Sequence, residues 1–212
     1  MNDLQLKPNQ TILFTGDSIT DAGRSERAYR PFGNGYVHFT ANYMLAKYPQ
    51  YDLGIINTGI SGNTVGDLER RWERDCLAHQ PDVLSVLIGI NDIWQWHTAG
   101  GSNKEQAIKT YESTYKRLLV AVKQQGDCKI ILMEPFLFCD DPQNELLVHL
   151  RDYIKVVHDL AEEFSATLVP LQKRIDEKIK SAASDKWSED TVHPYVWAHE
   201  WISQQWIEVV KI

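Results

Sequence analysis

The sequence is poor in cysteine, and its cysteines are not paired. It has three, Cys76, Cys128 and Cys139, with no Cys-x-x-Cys spacing among them. A disulfide framework or a zinc ribbon needs cysteines in pairs, so neither is expected to organise the fold. We expect free thiols, as is typical of a protein kept in the reducing cytoplasm.

An excess of positive charge is also lacking. The 212 residues carry 22 Lys and Arg against 29 Asp and Glu, a formal net charge of -7. Nucleic acids and anionic membranes attract basic patches. We therefore expect neither nucleic acid nor a membrane surface as a partner.

Long hydrophobic runs are absent as well. The longest apolar stretch, around 83–90, is far too short to cross a bilayer. The N-terminus, Met-Asn-Asp-Leu-Gln-Leu-Lys-Pro, has no apolar core of signal-peptide length. These two absences predict an unsecreted, cytoplasmic protein.

Two kinds of catalytic motif are missing. None of the seven histidines pairs as His-x-x-x-His, and no cluster of His, Cys and Asp has the spacing of metal ligands. No metal and no cofactor are therefore expected. There is also no Gly-x-Ser-x-Gly elbow, which counts against the ordinary α/β-hydrolase fold.

What the chain does contain is a regular alternation of strand and helix patterns. Apolar, β-branched runs predict strands at 11–15, 53–57, 83–88, 129–133 and 167–169. Helical spacing of apolar residues predicts helices at 36–47, 65–76, 108–122, 147–164 and 195–210, with a shorter one around 175–179. This alternation predicts a parallel sheet covered on both faces. With no repeat or linker, we expect one domain over 1–212.

The first predicted strand runs into Gly16-Asp17-Ser18. Ser18 stands where the strand gives way to a loop or a helix, and Thr20 and Asp21 are suitable capping residues. Open α/β sheets hold their ligands at the carboxyl ends of strands. The Ser18 hydroxyl is therefore a candidate catalytic group, although a simple serine turn would explain this stretch equally well.

Two further strand ends carry small or polar residues. Gly62 has no side chain, so a ligand could approach its N–H closely, although an ordinary turn would also favour glycine. Asn91, in Gly89-Ile-Asn-Asp92, offers a carboxamide donor at the same edge of the sheet. The alternative for Asn91 is a helix cap or an Asx turn.

Near the C-terminus, Asp190-Thr-Val-His193-Pro194 combines a carboxylate with an imidazole. In a turn held by Pro194, the Asp190 carboxylate can accept the Nδ1–H of His193, which fixes the tautomer and leaves Nε2 as a base. A lone histidine is more often structural. The spacing together with a serine at a strand end favours catalysis.

These four stretches, in this order and at roughly this spacing, resemble the SGNH (GDSL) hydrolase family. Gly16-Asp17-Ser18 matches its first block, Gly62 its second, Gly89-Ile-Asn91-Asp92 its third and Asp190-x-x-His193 its fifth. The first block departs from the family pattern only in ending with Ile19 in place of leucine. The resemblance implies a flavodoxin-like fold, a three-layer α/β/α sandwich around a central, mainly parallel five-stranded sheet.

The resemblance also implies a role for each residue. Ser18 would be the nucleophile, His193 the base and later the acid, and Asp190 its orienting partner. The N–H groups of Ser18 and Gly62 and the amide of Asn91 would form the oxyanion hole. This agrees with the chemistry, because a serine hydroxyl needs a base and an oxyanion needs preplaced donors. The implied reaction is acyl-ester hydrolysis through an acyl-enzyme.

Three segments indicate which class of ester is the substrate. Residues 33–37, 59–65 and 88–94 are similar to the intracellular bacterial acetylxylan esterases of this family. This implies a short acyl group, in the first place acetyl, on a sugar hydroxyl. Trp94, whose flat ring suits a sugar, and Asp17 are predicted to bind substrate, whereas Trp96 is expected to pack within the protein.

Two alternatives stay open. The same triad serves any accessible ester, so the protein could be a lysophospholipase or a broad-specificity short-chain esterase. A non-catalytic carbohydrate-binding protein on this fold is less favoured, because binding alone does not need the whole set of motif residues. The expected partner is a small-molecule or oligosaccharide ester. A homo-oligomer is a further expectation, from the family resemblance and from the seven tryptophans.

Overall fold

The computed structural model describes residues 4–212 and has the predicted alternation of strands and helices. In chain order the elements are β1 (Thr11–Gly16), α1 (Ser18–Asp21), α2 (Tyr36–Lys47), β2 (Gly54–Asn57), α3 (Val65–Asp75), β3 (Val83–Leu87), α4 (Ile90–Thr98), α5 (Lys104–Gln125), β4 (Lys129–Met133), α6 (Glu145–Glu163), β5 (Thr167–Val169), α7 (Leu171–Lys178) and α8 (Val196–Val210). Short 3-10 turns lie at Pro49–Tyr51, Leu77–His79 and Ser184–Lys186.

The five strands form one sheet in the order β2-β1-β3-β4-β5, and every neighbouring pair is parallel. The central strand β3 reads Val-Leu-Ser-Val-Leu and is buried along its whole length. A continuous apolar run is typical of a strand covered on both faces. The predicted five-stranded sheet between two helical layers is confirmed, and it is parallel throughout.

Helices α2 and α8 pack together over one face of the sheet. The ring of Phe14 in β1 lies 5.5 Å from Trp206 of α8 and 6.1 Å from Tyr36 of α2, measured between centroids. Ser85 in β3 accepts a hydrogen bond of 3.0 Å from the Trp206 indole N–H. The Ser85 hydroxyl, the polar group of the central strand, therefore has a hydrogen-bond partner inside the core.

Helix α5 packs between α3 and α6 in the second layer. Trp72 of α3 donates its indole N–H to the Leu118 carbonyl of α5 at 3.1 Å. The rings of Tyr111 in α5 and Tyr153 in α6 lie 4.9 Å apart between centroids. Aromatic side chains therefore connect the helices of this layer.

The sequence patterns do not predict helix α4, and they place the start of α5 at residue 108 in place of Lys104. Ile90 and Ile93 of α4 are buried one helical turn apart, so the pattern of an amphipathic helix is present. The polar residues Asn91 and Asp92 stand between them and favour caps and turns, so the helical pattern is hard to recognise in the sequence.

The sheet has a topological switch point between β1 and β3. From β1 the chain moves outward to β2, then returns past β1 to β3 and continues outward to β5. Ligand crevices of open α/β sheets form at the carboxyl side of such a point. β1 and β3 approach closely there: a Cβ on Gly16 would lie 2.1 Å from the Leu87 carbonyl oxygen, so only glycine fits.

The two ends of the described chain lie side by side, where the Leu4 N–H donates to the Val210 carbonyl at 3.1 Å. Among residues 4–212, no helix is both long and apolar enough to cross a membrane. The three cysteines are free, as predicted. The predicted single domain over 1–212 includes residues 1–3, which lie outside the described residues.

Candidate active site

Ser18 is the first residue of α1, directly beyond the carboxyl end of β1. Asp17 is the N-cap of this helix, and its Oδ1 accepts the Ile19 N–H at 3.0 Å. Capping of this kind satisfies a backbone donor that has no partner within the helix. The Gly-Asp-Ser sequence therefore builds a tight turn from strand to helix that presents the Ser18 hydroxyl.

The Asp17 side chain is only 1% exposed, and it caps helix α1. Its expected contact with substrate stays a prediction. Burial raises the pKa of its carboxyl group to about 7, against the lowering effects of the Ile19 N–H and the charge of His193. Within the described residues its Oδ2 is buried without a hydrogen-bond partner.

The structure brings Ser18, His193 and Asp190 together. The Ser18 Oγ lies 2.9 Å from His193 Nε2, and His193 Nδ1 lies 2.6 Å from Asp190 Oδ2. An ionised carboxylate can only accept, so the imidazole proton is on Nδ1 when the ring is neutral. Nε2 then carries a lone pair and accepts the Ser18 hydroxyl.

Asp190 is held as an anion. Partial burial by itself would raise the pKa of its carboxyl group, but hydrogen bonds from the His193 side chain and from the N–H groups of His193 and Val192 outweigh this and lower it to about 2. These backbone donors lie 2.7 and 3.0 Å from Oδ1, and the Ser188 hydroxyl is 3.2 Å away. The sequence pattern does not single out Ser188.

Backbone contacts fix the segment that carries Asp190 and His193. Ser188 and Pro194 form an antiparallel bridge across the turn, and the Tyr195 N–H donates to the Trp187 carbonyl at 2.9 Å. The Thr191 carbonyl accepts the Phe138 N–H at 2.8 Å, which joins the turn to the segment after β4. The side chains of His193 and Asp190 remain about half exposed, at 55% and 52%.

Gly62 lies in the turn between β2 and α3 and has a φ of +79°. This is the left-handed region, which glycine adopts without the strain that a Cβ imposes. A Cβ there would meet no atom within 4 Å, so backbone conformation alone favours glycine. Within the described residues, neither the Gly62 N–H nor the Ser18 N–H donates a hydrogen bond.

Asn91 lies in the first turn of α4, and its side chain does not cap that helix. Its Nδ2 donates instead to the carbonyl oxygen of Asn63 at 3.0 Å, one residue beyond Gly62. A carboxamide has two N–H bonds, so a second donor is left for a ligand. The cap and Asx-turn alternatives for Asn91 are therefore not what the structure has.

Asp92 links the turns that carry Gly62 and Asn91. Its two carboxylate oxygens lie 3.1 and 3.2 Å from the N–H of Val65, the first residue of α3. Burial, against the effect of this N–H and assisted by nearby Asp17, raises the pKa of Asp92 to about 7. A capping box between Thr64 and Asp67 also fixes the start of α3.

The aromatic residues near the site divide into exposed and packed rings. Trp94, one helical turn after Asn91, is 49% exposed, as a substrate-binding ring requires. Trp96 donates its indole N–H to the Ser102 carbonyl and packs edge-on against His149, so the expectation that it packs internally is confirmed. The sequence pattern gives no sign of Trp197, which is 60% exposed and stacked on Tyr195 close to His193 in the chain.

In residues 4–212 no group of three or more His, Cys, Asp or Glu side chains is arranged to hold a metal ion. A large open groove of about 1980 Å³ lies elsewhere on the molecule, lined by charged residues that include Lys7, Asp82 and Lys129. It shares no residue with the Ser18–His193 cluster. Asp82 and Lys129 lie where β3 and β4 begin, whereas Ser18 follows the carboxyl end of β1.

The family model of the GDSL-like lipases and acylhydrolases matches residues 14–201. The chain belongs to this GDSL-like lipase/acylhydrolase family, whose members with these motifs are the SGNH hydrolases. It is a carboxylic ester hydrolase.

A curated relative and several solved structures are similar to nearly the whole chain. An acetylxylan esterase of Geobacillus stearothermophilus is 36% identical over 203 residues, which cover 92% of this chain and 91% of the relative. The crystal structure of Axe2, an acetylxylan esterase from the same organism, superposes with a TM-score of 0.89 at 32% identity, covering 99% and 97% of the two chains.

A mutant of Axe2, described as an acetyl-xylooligosaccharide esterase, gives a TM-score of 0.90 at 33% identity over 99% and 97% of the two chains. Further Axe2 structures are described as catalytic mutants in which a serine, an aspartate or a histidine is replaced by alanine.

Proposed function

We propose that Ser18, His193 and Asp190 are the catalytic residues of a serine esterase that works through an acyl-enzyme. The observation that carries this proposal is the 2.9 Å contact between Ser18 Oγ and His193 Nε2, with Asp190 behind the imidazole. Catalytic mutants of Axe2 at a serine, an aspartate and a histidine give the assignment independent support.

The first half-reaction acylates the enzyme. His193 Nε2 takes the Ser18 proton while Oγ bonds to the ester carbonyl carbon, and the carbonyl electron pair moves onto its oxygen. When this tetrahedral oxyanion collapses, the bond to the alcohol oxygen breaks. His193 gives its proton to that oxygen, so the alcohol leaves neutral and the acyl group stays on Ser18.

The second half-reaction frees the enzyme. A water molecule gives a proton to His193 and attacks the acyl carbonyl, and the second tetrahedral oxyanion expels Ser18 Oγ, which takes the proton back. The products are the carboxylic acid and the starting enzyme. Asp190 stays ionised throughout, because its role is to stabilise the imidazolium and hold its tautomer.

The oxyanion is stabilised by three donors, the N–H groups of Ser18 and Gly62 and the Nδ2 of Asn91. Two observations support this. The two backbone N–H groups make no hydrogen bond within the described residues, and Asn91 uses only one of its two amide hydrogens. Donors that are already in place stabilise a developing charge without reorganisation.

The substrate we propose is an acetyl ester of a carbohydrate such as an acetylated xylo-oligosaccharide. The activities of the relatives support this assignment, and the half-exposed His193, the proposed proton donor to the leaving alcohol, leaves room for a sugar. Exposed Trp94 offers a flat ring on which a sugar can stack. A cytoplasmic location and a homo-oligomeric state, both expected from the sequence, remain predictions.

The mechanism is tested with p-nitrophenyl acetate. Wild-type enzyme is expected to release nitrophenol and to gain the mass of one acetyl group when quenched during turnover. Ser18→Ala is expected to lose both properties, whereas Ser25→Ala, at an exposed serine elsewhere, keeps them. An acetyl adduct that persists in Ser18→Ala would contradict the assignment of the nucleophile.

The substrate is tested with acetylated xylo-oligosaccharides against short-chain acylglycerols and lysophospholipids. We expect the highest kcat/KM for the acetylated sugars and a lower value for Trp94→Ala on those sugars alone. A preference for lysophospholipid would favour the alternative function drawn from the sequence. It would leave the proposed mechanism intact.

A further inference from the structure

Arg71 is a charged residue on the buried face of helix α3. It follows Leu68 by one turn and precedes Trp72, and its side chain is only 8% exposed. A buried guanidinium is costly unless its donors are paired. The partners of Arg71 therefore explain why this position carries a charge.

The guanidinium joins two strand ends directly. Its Nη2 donates to the Gly16 carbonyl at 3.1 Å, and its Nη1 donates to the Thr58 carbonyl at 2.7 Å. Gly16 ends β1 two residues before Ser18, and Thr58 follows β2. Arg71 therefore fixes the distance between the two segments that lead to Ser18 and Gly62.

The same side chain also reaches the turn that contains Gly62. Its Nε donates to Asn63 Oδ1 at 2.8 Å, and the Asn63 carbonyl accepts the Asn91 amide at 3.0 Å. Asn63 is thus held on one side by Arg71 and contacts the Asn91 carboxamide on the other. A single guanidinium is connected to the segments of all three proposed oxyanion donors.

We propose that Arg71 is a positioning residue that holds the donors of the oxyanion hole, the Ser18 and Gly62 N–H groups and the Asn91 amide, in one fixed arrangement. This inference rests on the proposed function, because it assumes that the three donors act on one oxyanion. A planar fork of donors suits this role, since it reaches carbonyls in several directions at once, which a lysine ammonium on a flexible stem cannot do.

The neighbouring arginine provides a matched control. Asp75 Oδ2 accepts from Arg71 at 3.0 Å, and the same carboxylate pairs with Arg74. The Arg74 side chain is 75% exposed and, within the described residues, its hydrogen bonds go only to Asp75. Arg71→Lys and Arg74→Lys thus make the same change beside the same carboxylate, but only the first alters contacts to the site.

The experiment compares these two variants by kcat and KM on p-nitrophenyl acetate and by affinity for propylboronic acid, which forms a tetrahedral anionic adduct with a reactive serine. We expect Arg71→Lys to lower kcat by about 10–100-fold while KM changes less than about threefold. Its affinity for the boronic acid should fall by a similar factor to kcat. Arg74→Lys should match wild type in all three quantities.

Asn63→Ala is a second test of the same inference, needed if the Arg71→Lys protein does not fold. It keeps the backbone carbonyl that accepts from Asn91 and removes only the Oδ1 that accepts from Arg71. We expect the same loss of kcat and of boronic acid affinity with KM retained. Folded Arg71→Lys, or folded Asn63→Ala, with wild-type kcat and boronic acid affinity would overturn the inference even if the melting temperature fell.

Asn91→Ala separates this inference from the proposed function. A large loss of kcat in Asn91→Ala with none in Arg71→Lys would overturn only the role of Arg71. Wild-type kcat in Asn91→Ala would mean that the proposed hole is wrong, and the inference would fail with it.

Discussion

The Oγ atom of Ser18 and the Nε2 atom of His193 lie 2.9 Å apart, although 175 residues separate them in the chain. Ser18 follows β1, and His193 lies in the turn before α8, so their contact depends on the whole sheet and its helices. Activity therefore reports the native fold as well as the site. A loss of activity in a site variant therefore has to be compared with a control substitution that leaves the site untouched.

Asp190→Asn is expected to lower kcat on p-nitrophenyl acetate by up to about 10⁴-fold. The amide can direct its N–H₂ at His193 Nδ1, which favours the tautomer with the proton on Nε2, so the base is blocked. Glu189→Gln changes the adjacent exposed carboxylate and should keep wild-type kcat. A loss below about tenfold in Asp190→Asn would make Asp190 a structural residue of the turn.

Asn91→Ala is expected to lower kcat with little change in KM, because the amide binds the oxyanion better than the ground-state carbonyl. The expected cost is roughly 3–4 kcal/mol in the activation free energy. Gln95→Ala, at an exposed position of the same helix α4, should leave both constants unchanged. A rise in KM at constant kcat would show Asn91 to be a substrate-binding residue.

Gly62→Ala is expected to lower both kcat and the free energy of unfolding. An alanine at a φ of +79° is strained by about 1 kcal/mol, and the backbone can relieve this by turning the N–H away from the site. Gly100 has a φ of +94° and the same empty space around a Cβ. Gly100→Ala should therefore lose similar stability in thermal unfolding but keep wild-type kcat. Equal kcat in the two variants would show that the Gly62 N–H is not a donor of the oxyanion hole.

The buried His199 is expected to make the fold sensitive to acid. It is 7% exposed and its Nδ1 accepts the Tyr36 N–H at 3.2 Å. Burial, with a smaller effect of the charge of His193, lowers the pKa of His199 from 6.5 to about 4. Between these values the unfolded chain binds a proton that the folded protein excludes, so this residue lowers the free energy of unfolding by up to about 3 kcal/mol as pH falls to 4.

The measurement is chemical denaturation of wild type and His199→Asn between pH 7 and 4. Asn keeps an oxygen that can accept the Tyr36 N–H but does not titrate, so the variant should lose less stability than wild type as pH falls. The comparison between the two proteins is needed because Asp17, whose pKa is raised, acts in the opposite sense and favours the folded state as pH falls. His79→Asn, at an exposed histidine, should follow wild type, and parallel curves for all three proteins would contradict the prediction.

The strands are predictable because their patterns are unambiguous. Val83–Leu87 is a continuous apolar run, and Lys129–Met133 and Thr167–Val169 end at the residues the pattern indicates. Once the strands are parallel, the proximity of their carboxyl ends follows. Ser18, Gly62 and Asn91 therefore group at one edge of the sheet because of a topology that can be predicted from the sequence.

The orientation of individual side chains is less predictable. Asp17 precedes Ser18 directly, but the turn from β1 into α1 sends the two side chains to different environments, one buried and one open. Arg71 stands in a run of charged residues with Arg70 and Arg74. Only its helical spacing from buried Leu68 distinguishes it, and its partner Gly16 lies 55 residues away in the sequence.

The contact between Leu4 and Val210 has a consequence for circular permutation of the protein. Leu4 and Val210 are joined by a backbone hydrogen bond, whereas the exposed Gly126 turn between α5 and β4 lies at the amino edge of the sheet, away from Ser18. A short linker could connect Leu4 to Val210, and new termini could be opened at Gly126. In this circular permutant Ser18 would follow His193 along the polypeptide. We expect such a permutant to keep esterase activity, because the reaction depends on where the sheet places the motif residues and not on their order along the chain.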